Sequence, residues 1–312
     1  MQKLSFCLSK LKYGCYTAFF LLITWFILTK PTLSISYALS GLQLWFNKMI
    51  PTLFPFMVLS GIMVRMELTD AFVGALKPFL SPLLRVSHSC IYGMVVGFLC
   101  GFPMGAHVTA QLYESKQISK AEASFLLAFC NNIGPVYFLS FVLPTLQLSS
   151  PCYFLIGMYG LPFMYGLILR HTFFRNQIPY KKTITSKTSG ISFPEALDDS
   201  VLSALSGITK LGGYMIFFQL LFVLPLYFFS ETLLGEAFCL LLEITGGIGL
   251  LKEKAPLMVL TVLPFGGLSC IAQTYSMIKN TNLSLSEYIM HKMILTAITV
   301  CYYCLTGGKY FG

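Results

Sequence analysis

Long apolar stretches separated by short polar links run through almost the whole chain, and their lengths indicate the elements. About 20 consecutive apolar residues suffice for a helix to cross a bilayer. The pattern predicts apolar helices and two shorter, interrupted apolar segments. The predicted helices cover residues 16–29, 41–66, 120–146, 150–170, 198–229, 233–251 and 286–306, and the interrupted segments cover 88–113 and 256–278.

Composition agrees with this pattern and indicates the class of protein. Hydrophobic residues fill 56% of the 312 positions and charged residues 11%, which leaves too little polar surface to coat a soluble globule. The net charge of +9 is scattered among the links, so nucleic acid is not an expected partner. We predict an all-α polytopic membrane protein embedded in the lipid bilayer. The sequence leaves open whether the protein forms a homo-oligomer, because apolar outer faces look alike whether they contact lipid or another subunit.

The basic residues predict the topology of the chain. Lys3, Lys10 and Lys12 precede the first apolar stretch, and a second basic group lies in the link that begins at Arg170. Positive residues gather on the cytoplasmic side of membrane proteins, so both groups are expected inside. Four crossings fit between them if the segment 88–113 enters the membrane and returns on one side. The first stretch is either a signal peptide or a retained helix, and we expect a retained helix because no convincing cleavage pattern follows.

A faint internal copy indicates a duplication. Residues 105–113 return 162 positions later as 267–275, with identical residues at four of nine positions, and the same offset places Lys48 on Lys210. With the predicted topology, one copy enters the membrane from outside and the other from inside. We therefore predict inverted structural repeats, an architecture found in many transporters.

The duplication and the long polar link divide the chain into four predicted parts. These are an N-terminal transmembrane helix (1–34), a first repeat (35–170), a basic cytoplasmic linker (171–197) and a second repeat (198–312). The links are otherwise short, and no soluble domain of useful size is expected.

Glycine and proline interrupt both of the shorter apolar segments. Gly101 and Gly105 flank Pro103 in the first, and Gly266 and Gly267 lie at the middle of the second. Unsatisfied backbone groups persist in a membrane only where they line a protein-enclosed cavity. Each interruption is either the tip of a re-entrant helical hairpin or a kinked, packed helix. We predict re-entrant hairpins together with broken transmembrane helices.

Two further interruptions carry polar side chains into apolar segments. Asn131 and Asn132 precede a Gly-Pro pair, and their amides either bind a small polar solute or cap the freed backbone. Glu243 precedes two glycines, and an intramembrane carboxylate is a functional candidate. It is expected to bind a coupling proton or cation, or to pair with a lysine.

Lys48 and Lys210 lie in the middle of predicted helices, where they either face a central site or extend to the membrane surface. Two lysines related by a two-fold axis suit an anion with two carboxylates, as does the amino end of a broken helix. The sequence therefore favours a small organic anion as the solute.

Catalytic and metal-binding chemistry lack support in the sequence. Cysteine in apolar segments usually acts as a small hydrophobe, and Cys301 and Cys304 have CxxC spacing without a second pair. No nucleophile, acid–base pair or HExxH motif is present. We expect neither an enzyme nor a metal or other cofactor.

Five motifs in order resemble a known family. The segment GLQLWFNKMIPTLFPF, which begins at Gly41, is followed by GFPMG, FCNNIGP, LEITGG and PFGGLS. This order resembles the YlbJ-type sporulation integral membrane proteins, which belong with the nucleoside-recognition or Gate-domain proteins. The resemblance covers about residues 35–305. The second half departs from symmetry, since it has no equivalent of the Asn131–Asn132 pair.

The family resemblance implies both an architecture and a task. The family is similar to concentrative nucleoside transporters, with inverted repeats and re-entrant hairpins around a central site. It implies a protein of endospore formation that moves dipicolinate, a pyridine dicarboxylate, across the outer forespore membrane from the mother cell. Alternatives are a transporter of nucleosides or another small polar solute, and a non-transporting scaffold for spore envelope assembly. The predicted substrate-binding residues are Lys48, Gly101, Phe102, Pro103, Gly105, Gln111, Asn131, Asn132, Lys210, Glu243, Thr245, Gly266, Gly267, Ser269 and Gln273.

Overall fold

The computed structural model describes residues 2–148, 150–178, 191–230 and 232–307. Within these ranges the regular elements are helices and no β-strand occurs. Lys181, Lys182 and Lys187 of the predicted basic linker lie outside the described residues. The all-α class predicted from the sequence is confirmed.

The first half begins with two apolar helices and continues through shorter ones. Helix α2 contains a π-helical turn at Trp45–Met49. The helices are α1 (Gln2–Thr29), α2 (Pro31–Arg65), α3 (Thr69–Val73), α4 (Lys77–Leu84), α5 (His88–Cys100), α6 (Met104–Glu114), α7 (Lys120–Phe129), α8 (Pro135–Thr145) and α9 (Pro151–His171).

The second half repeats the order of a long helix, short helices and a final long helix. Its helices are α10 (Phe193–Phe228), α11 (Leu233–Leu242), α12 (Ile244–Leu251), α13 (Pro256–Val262), α14 (Gly267–Ile278) and α15 (Leu285–Thr306). Most lie within a few residues of the predicted bounds. Helices α1 and α2 differ, since they begin fourteen and ten residues before the predicted starts at 16 and 41.

Six helical segments of the described chain are long and apolar enough to cross a membrane. They are Lys12–Thr29, Pro31–Arg65, Pro151–His171, Phe193–Phe228, Pro256–Ile278 and Leu285–Thr306. Exposed large apolar side chains are frequent along them, as a lipid-facing surface requires. The chain is an integral membrane protein.

Local sequence explains where several helices begin. Ser119 and Glu122 form a capping box at the start of α7, in which each side chain bonds the backbone N–H of the other residue. A Glu122 carboxylate oxygen also accepts the Ser87 N–H at 2.8 Å, which ties the start of α5 to the start of α7. Proline occupies the first turn of α2, α9 and α13, where its missing N–H costs nothing.

Two pairs of short helices fold back on themselves. Helices α5 and α6 approach each other closely: a Cβ on Gly97 of α5 would lie only 3.4 Å from the Gly105 Cα atom of α6. Helices α11 and α12 do the same around Glu243, because a Cβ on Gly247 would lie 2.3 Å from the Leu240 Cα atom. We call these pairs the first hairpin (88–114) and the second hairpin (233–251).

The interruption at 263–266 corrects one prediction. The glycines and proline predict a hairpin tip there, but α13 and α14 continue as one apolar segment, Pro256–Ile278, with a break inside it. The second hairpin instead closes at Glu243. Each half therefore contains a long helix, a hairpin, a broken segment and a final helix, in that order.

This order also shows where the 162-residue offset fails. It relates the long helices well, since Pro31–Arg65 and Phe193–Phe228 begin at equivalent positions. It then pairs Gly105 of a hairpin with Gly267 of a broken segment. The reason is a difference in length: residues 66–87, with α3 and α4, join the first long helix to its hairpin, whereas only residues 229–232 do so in the second half.

The long helices α2 and α10 pack against each other in antiparallel directions. Gly41 near the start of α2 meets Ile216 near the end of α10, and Gly61 near the end of α2 meets Ser200 near the start of α10. Between them, the Trp45 indole N–H donates to the Ile208 carbonyl at 2.8 Å. Small residues thus let the two backbones approach closely.

Two adjacent glycines in α10 provide a test of this packing. A Cβ on Gly212 would lie 2.4 Å from the Trp45 ring, whereas a Cβ on Gly213 would meet no atom within 4 Å. Because its hydrogen bond holds the indole in place, we expect Gly212→Ala to lower the free energy of unfolding by about 1–3 kcal/mol. Gly213→Ala is the matched control and is expected not to lower the free energy of unfolding, since alanine is the better helix former. Thermal unfolding in detergent measures both, and equal midpoints would contradict the packing described.

Candidate functional site

A cavity of about 410 Å³ lies where the interruptions of both halves meet the two long helices. Its wall is mostly apolar with a few polar side chains, a composition typical of small-molecule sites. Polar contributors are Lys48 and Thr52 from α2, Tyr137 and Ser140 from α8, Glu243 and Thr245 from the second hairpin, and Gln273 from α14. Rings from Phe56, Phe102 and Phe141 also face it.

The tip of the first hairpin rests on the break between α7 and α8. The Phe102 N–H donates to the Asn132 carbonyl at 2.6 Å. Gly101 has φ of +78° and lies against the Gly134 backbone, where a Cβ would come within 2.2 Å of the Gly134 nitrogen. Only glycine fits this contact, which places the Phe102 ring at the cavity.

Both asparagines of the break are buried and bonded within the protein. The Asn131 side-chain oxygen accepts the Ala106 N–H at 3.2 Å, and its amide nitrogen donates to Thr274 at 3.0 Å and to Tyr288 at 3.1 Å. The Asn132 amide nitrogen donates to the Phe129 carbonyl at 2.5 Å. The bonds to the Ala106 N–H and the Phe129 carbonyl fit the capping alternative, and binding of a small polar solute by these amides stays a prediction.

Lys292 completes the same break and was missed by the sequence analysis. Its ammonium group donates to the Asn131 carbonyl and, at 2.8 Å, to the Asn132 side-chain oxygen. The side chain has no exposed surface, and the ammonium lies 5.4 Å from the centre of the Phe102 ring. A buried lysine in an apolar helix is itself a signal for function. The sequence does not mark it, because α15 contains no glycine or proline that indicates a break.

Glu243 forms the tip of the second hairpin. It is 2% exposed, and its carboxylate accepts the N–H groups of Thr245 at 3.0 Å and Gly246 at 2.8 Å. The Gln219 side-chain amide donates to it at 2.9 Å. Three N–H donors and the amino end of α12 thus compensate its negative charge.

The break between α13 and α14 lies between the two hairpin tips. A Cβ on Gly266 would lie 2.9 Å from the Phe102 ring of the first tip. A Cβ on Gly267 would lie 3.1 Å from the Leu241 carbonyl of the second hairpin. Next to this break, the Gln273 amide donates to the Ser269 hydroxyl at 2.9 Å. Both hairpins and both breaks therefore form one connected structure.

The predicted substrate-binding residues fall into two groups. Those that line the cavity are Lys48, Phe102, Glu243, Thr245 and Gln273. Those that are not part of the cavity wall are Gly101, Pro103, Gly105, Gln111, Asn131, Asn132, Lys210, Gly266, Gly267 and Ser269. Most of the second group shape the tips and breaks, whereas Gln111 and Lys210 lie elsewhere on α6 and α10.

The two lysines matched by the internal copy have different surroundings. Both are exposed, but Lys48 lines the cavity and Lys210 does not. Within the described part of the chain, no ion pair involves Lys48. Lys48 therefore places a positive charge at the cavity. Lys210 does not join it there, so the two lysines do not form the predicted pair around one site. No three His, Cys, Asp or Glu side chains among the described residues are placed to hold a metal ion.

Comparison with known proteins links this arrangement to a family. Residues 46–161 match the family model described as Gate, nucleoside recognition. The match runs from the cavity-lining part of α2 through the first hairpin and the α7–α8 break into α9. The resemblance predicted from the five motifs is confirmed.

Similarity to a named protein extends over most of the chain. The sequence is 25% identical to the Bacillus subtilis (strain 168) protein named "Sporulation integral membrane protein YlbJ", across 92% of this chain and 81% of that protein. No solved structure matches.

Proposed function

We propose that this protein is a membrane transporter that carries a small polar solute through the cavity between its two halves. The observation that supports this most is the convergence of two hairpin tips and two broken segments on one cavity of about 410 Å³. Interrupted helices are costly in hydrocarbon and persist where they line a cavity. The volume lies within the range of roughly 300–1,000 Å³ that is usual for small-molecule sites.

The architecture proposed is a pair of inverted repeats with re-entrant hairpins. Each half has the same order of elements, and the equivalent long helices α2 and α10 are antiparallel. A two-fold axis in the membrane plane relates equivalent helices in antiparallel directions, whereas an axis along the membrane normal leaves them parallel. The longest of the four hairpin arms, His88–Cys100, has 13 residues. Each arm is therefore shorter than the roughly 20 residues that a helix needs to cross a bilayer, which suits segments that enter and leave on one side.

The solute proposed is a small organic anion, with dipicolinate as the first compound to test. Lys48 supplies positive charge, while the Glu243 charge is already compensated by three donors. The rings of Phe102 and Phe141 suit a flat aromatic solute. By similarity to the sporulation protein, we propose a role in endospore formation at the outer forespore membrane. A nucleoside is the second candidate, because the Gate family model carries that description.

Uptake by purified protein in lipid vesicles tests this proposal. We expect Lys48→Met to reduce dipicolinate uptake about 10- to 100-fold, because a hydrogen bond to a charged group contributes about 1.5–3 kcal/mol. Lys210→Met is the matched control and is expected to transport normally, since Lys210 does not line the cavity.

The alternatives give different results in the same vesicles. Uptake of nucleosides but not of dipicolinate, unchanged by Lys48→Met, would assign the second solute class. Absence of uptake for both solutes, with well-folded protein in the vesicles, would favour the scaffold. Comparison of uptake with and without a proton or sodium gradient identifies any coupling ion.

A further inference from the structure

The Lys292 ammonium group is surrounded by oxygen acceptors and aromatic rings, the kinds of group that bind a monovalent cation. Oxygen atoms from the Asn131 backbone and the Asn132 side chain accept its ammonium protons. The Phe102 and Tyr288 rings lie 5.4 Å and 5.6 Å from the ammonium nitrogen, within the range of cation–π attraction. No carboxylate among the described residues forms an ion pair with it.

The position of this ammonium explains what its charge does. The break at 130–134 frees carbonyl groups from helical hydrogen bonding, and these need donors in a buried setting. Phe102 N–H satisfies the Asn132 carbonyl and the Tyr159 hydroxyl satisfies the Ile133 carbonyl at 3.0 Å. The Asn131 carbonyl is left to Lys292, which belongs to the last helix of the other half.

We infer that the α7–α8 break contains a site for a monovalent cation and that the Lys292 ammonium fills it. The tethered ammonium joins the broken segment of the first half to α15 of the second half and contacts the Phe102 tip. Since the chain supplies its own cation, no free ion is needed to hold the break in this conformation. Truncation of the side chain empties the site and makes it available to a small alkylammonium ion.

Thermal unfolding of the full-length protein in detergent tests the inference without measuring transport. Lys292→Ala removes the atoms of a propylammonium ion, so we expect a lowered unfolding temperature that propylammonium chloride partly restores. Tetramethylammonium chloride at equal ionic strength is the salt control, because it cannot donate hydrogen bonds. Wild-type protein is expected to respond equally to both salts.

Lys292→Met is the matched variant, since methionine fills the space without a charge. We expect it to be destabilised and not restored by propylammonium. The inference is overturned if Lys292→Ala is as stable as wild type, or if the two salts act alike on it. Should Lys292→Ala unfold on extraction, the yield of monodisperse protein solubilised in each salt replaces the temperature measurement. A higher yield in propylammonium supports the site, and equal yields refute it.

Discussion

Alanine in place of Gly101 is expected to detach the first hairpin tip from the α7–α8 break. Gly101 has φ of +78°, and a Cβ there would lie 2.2 Å from the Gly134 nitrogen and 2.7 Å from its Cα atom. The conformation alone costs about 1–3 kcal/mol for a residue with a side chain. Moving the backbone of the break adds about 1–3 kcal/mol, as in other overpacked sites. The expected loss of stability is therefore several kcal/mol, with loss of uptake.

Gly249→Ala provides the control for this prediction. Gly249 lies in α12 of the second hairpin, and a Cβ there meets no atom within 4 Å. We expect the Gly249→Ala protein to unfold at or slightly above the wild-type temperature, since alanine is the better helix former, and to transport normally. Equal unfolding temperatures for Gly101→Ala and Gly249→Ala would show that the tip does not rest on the break as described.

The helices of this protein were largely predictable because hydrophobicity and helix breakers act locally. Apolar stretches of span length predicted most helix bounds, and glycine with proline predicted the interruptions. Which interruption forms a hairpin was not predictable, because that depends on contacts between distant residues. Gly247 against Leu240 closes the second hairpin, yet the chain has no proline at that turn. The constant offset of 162 predicted the wrong position for the second hairpin, since residues 66–87 have no counterpart of similar length in the second half.

The candidate site was predicted only in part, because helix breakers mark some of its residues locally while others depend on contacts between distant parts of the chain. Phe102 and Glu243 lie at interruptions that the sequence marks, and both line the cavity. Lys210 was chosen because it matches Lys48, but two residues at equivalent positions of antiparallel helices need not face one cavity. Lys292 was not predicted because α15 has no helix breaker that marks it and because its partners, Asn131 and Asn132, lie about 160 positions away in the chain.

Replacement of Glu243 by glutamine is expected to disrupt the second hairpin tip. The carboxylate accepts N–H groups from Thr245, Gly246 and Gln219. Glutamine has one acceptor oxygen and an NH₂ group, which faces at least one of these donors without bonding it. A buried donor without a partner costs about 1–3 kcal/mol. We expect a lower unfolding temperature and loss of uptake for Glu243→Gln, measured in detergent and in vesicles respectively.

A second substitution separates this structural effect from proton coupling. In the double variant Glu243→Gln with Gln219→Glu, the amide and carboxylate exchange places, so the side-chain pair forms again with its donor reversed. If the role of Glu243 is structural, the double variant regains the share of stability that the bond between positions 219 and 243 supplies, and pH-driven uptake recovers in part with it. The Gly246 N–H, which shares the Oε2 acceptor with Gln219 in the wild-type protein, stays without an acceptor. If the carboxylate at position 243 carries a transported proton, the double variant regains stability but not pH-driven uptake. A Glu243→Gln protein as stable and active as wild type would contradict both roles, because three donors would then tolerate the loss of their common acceptor.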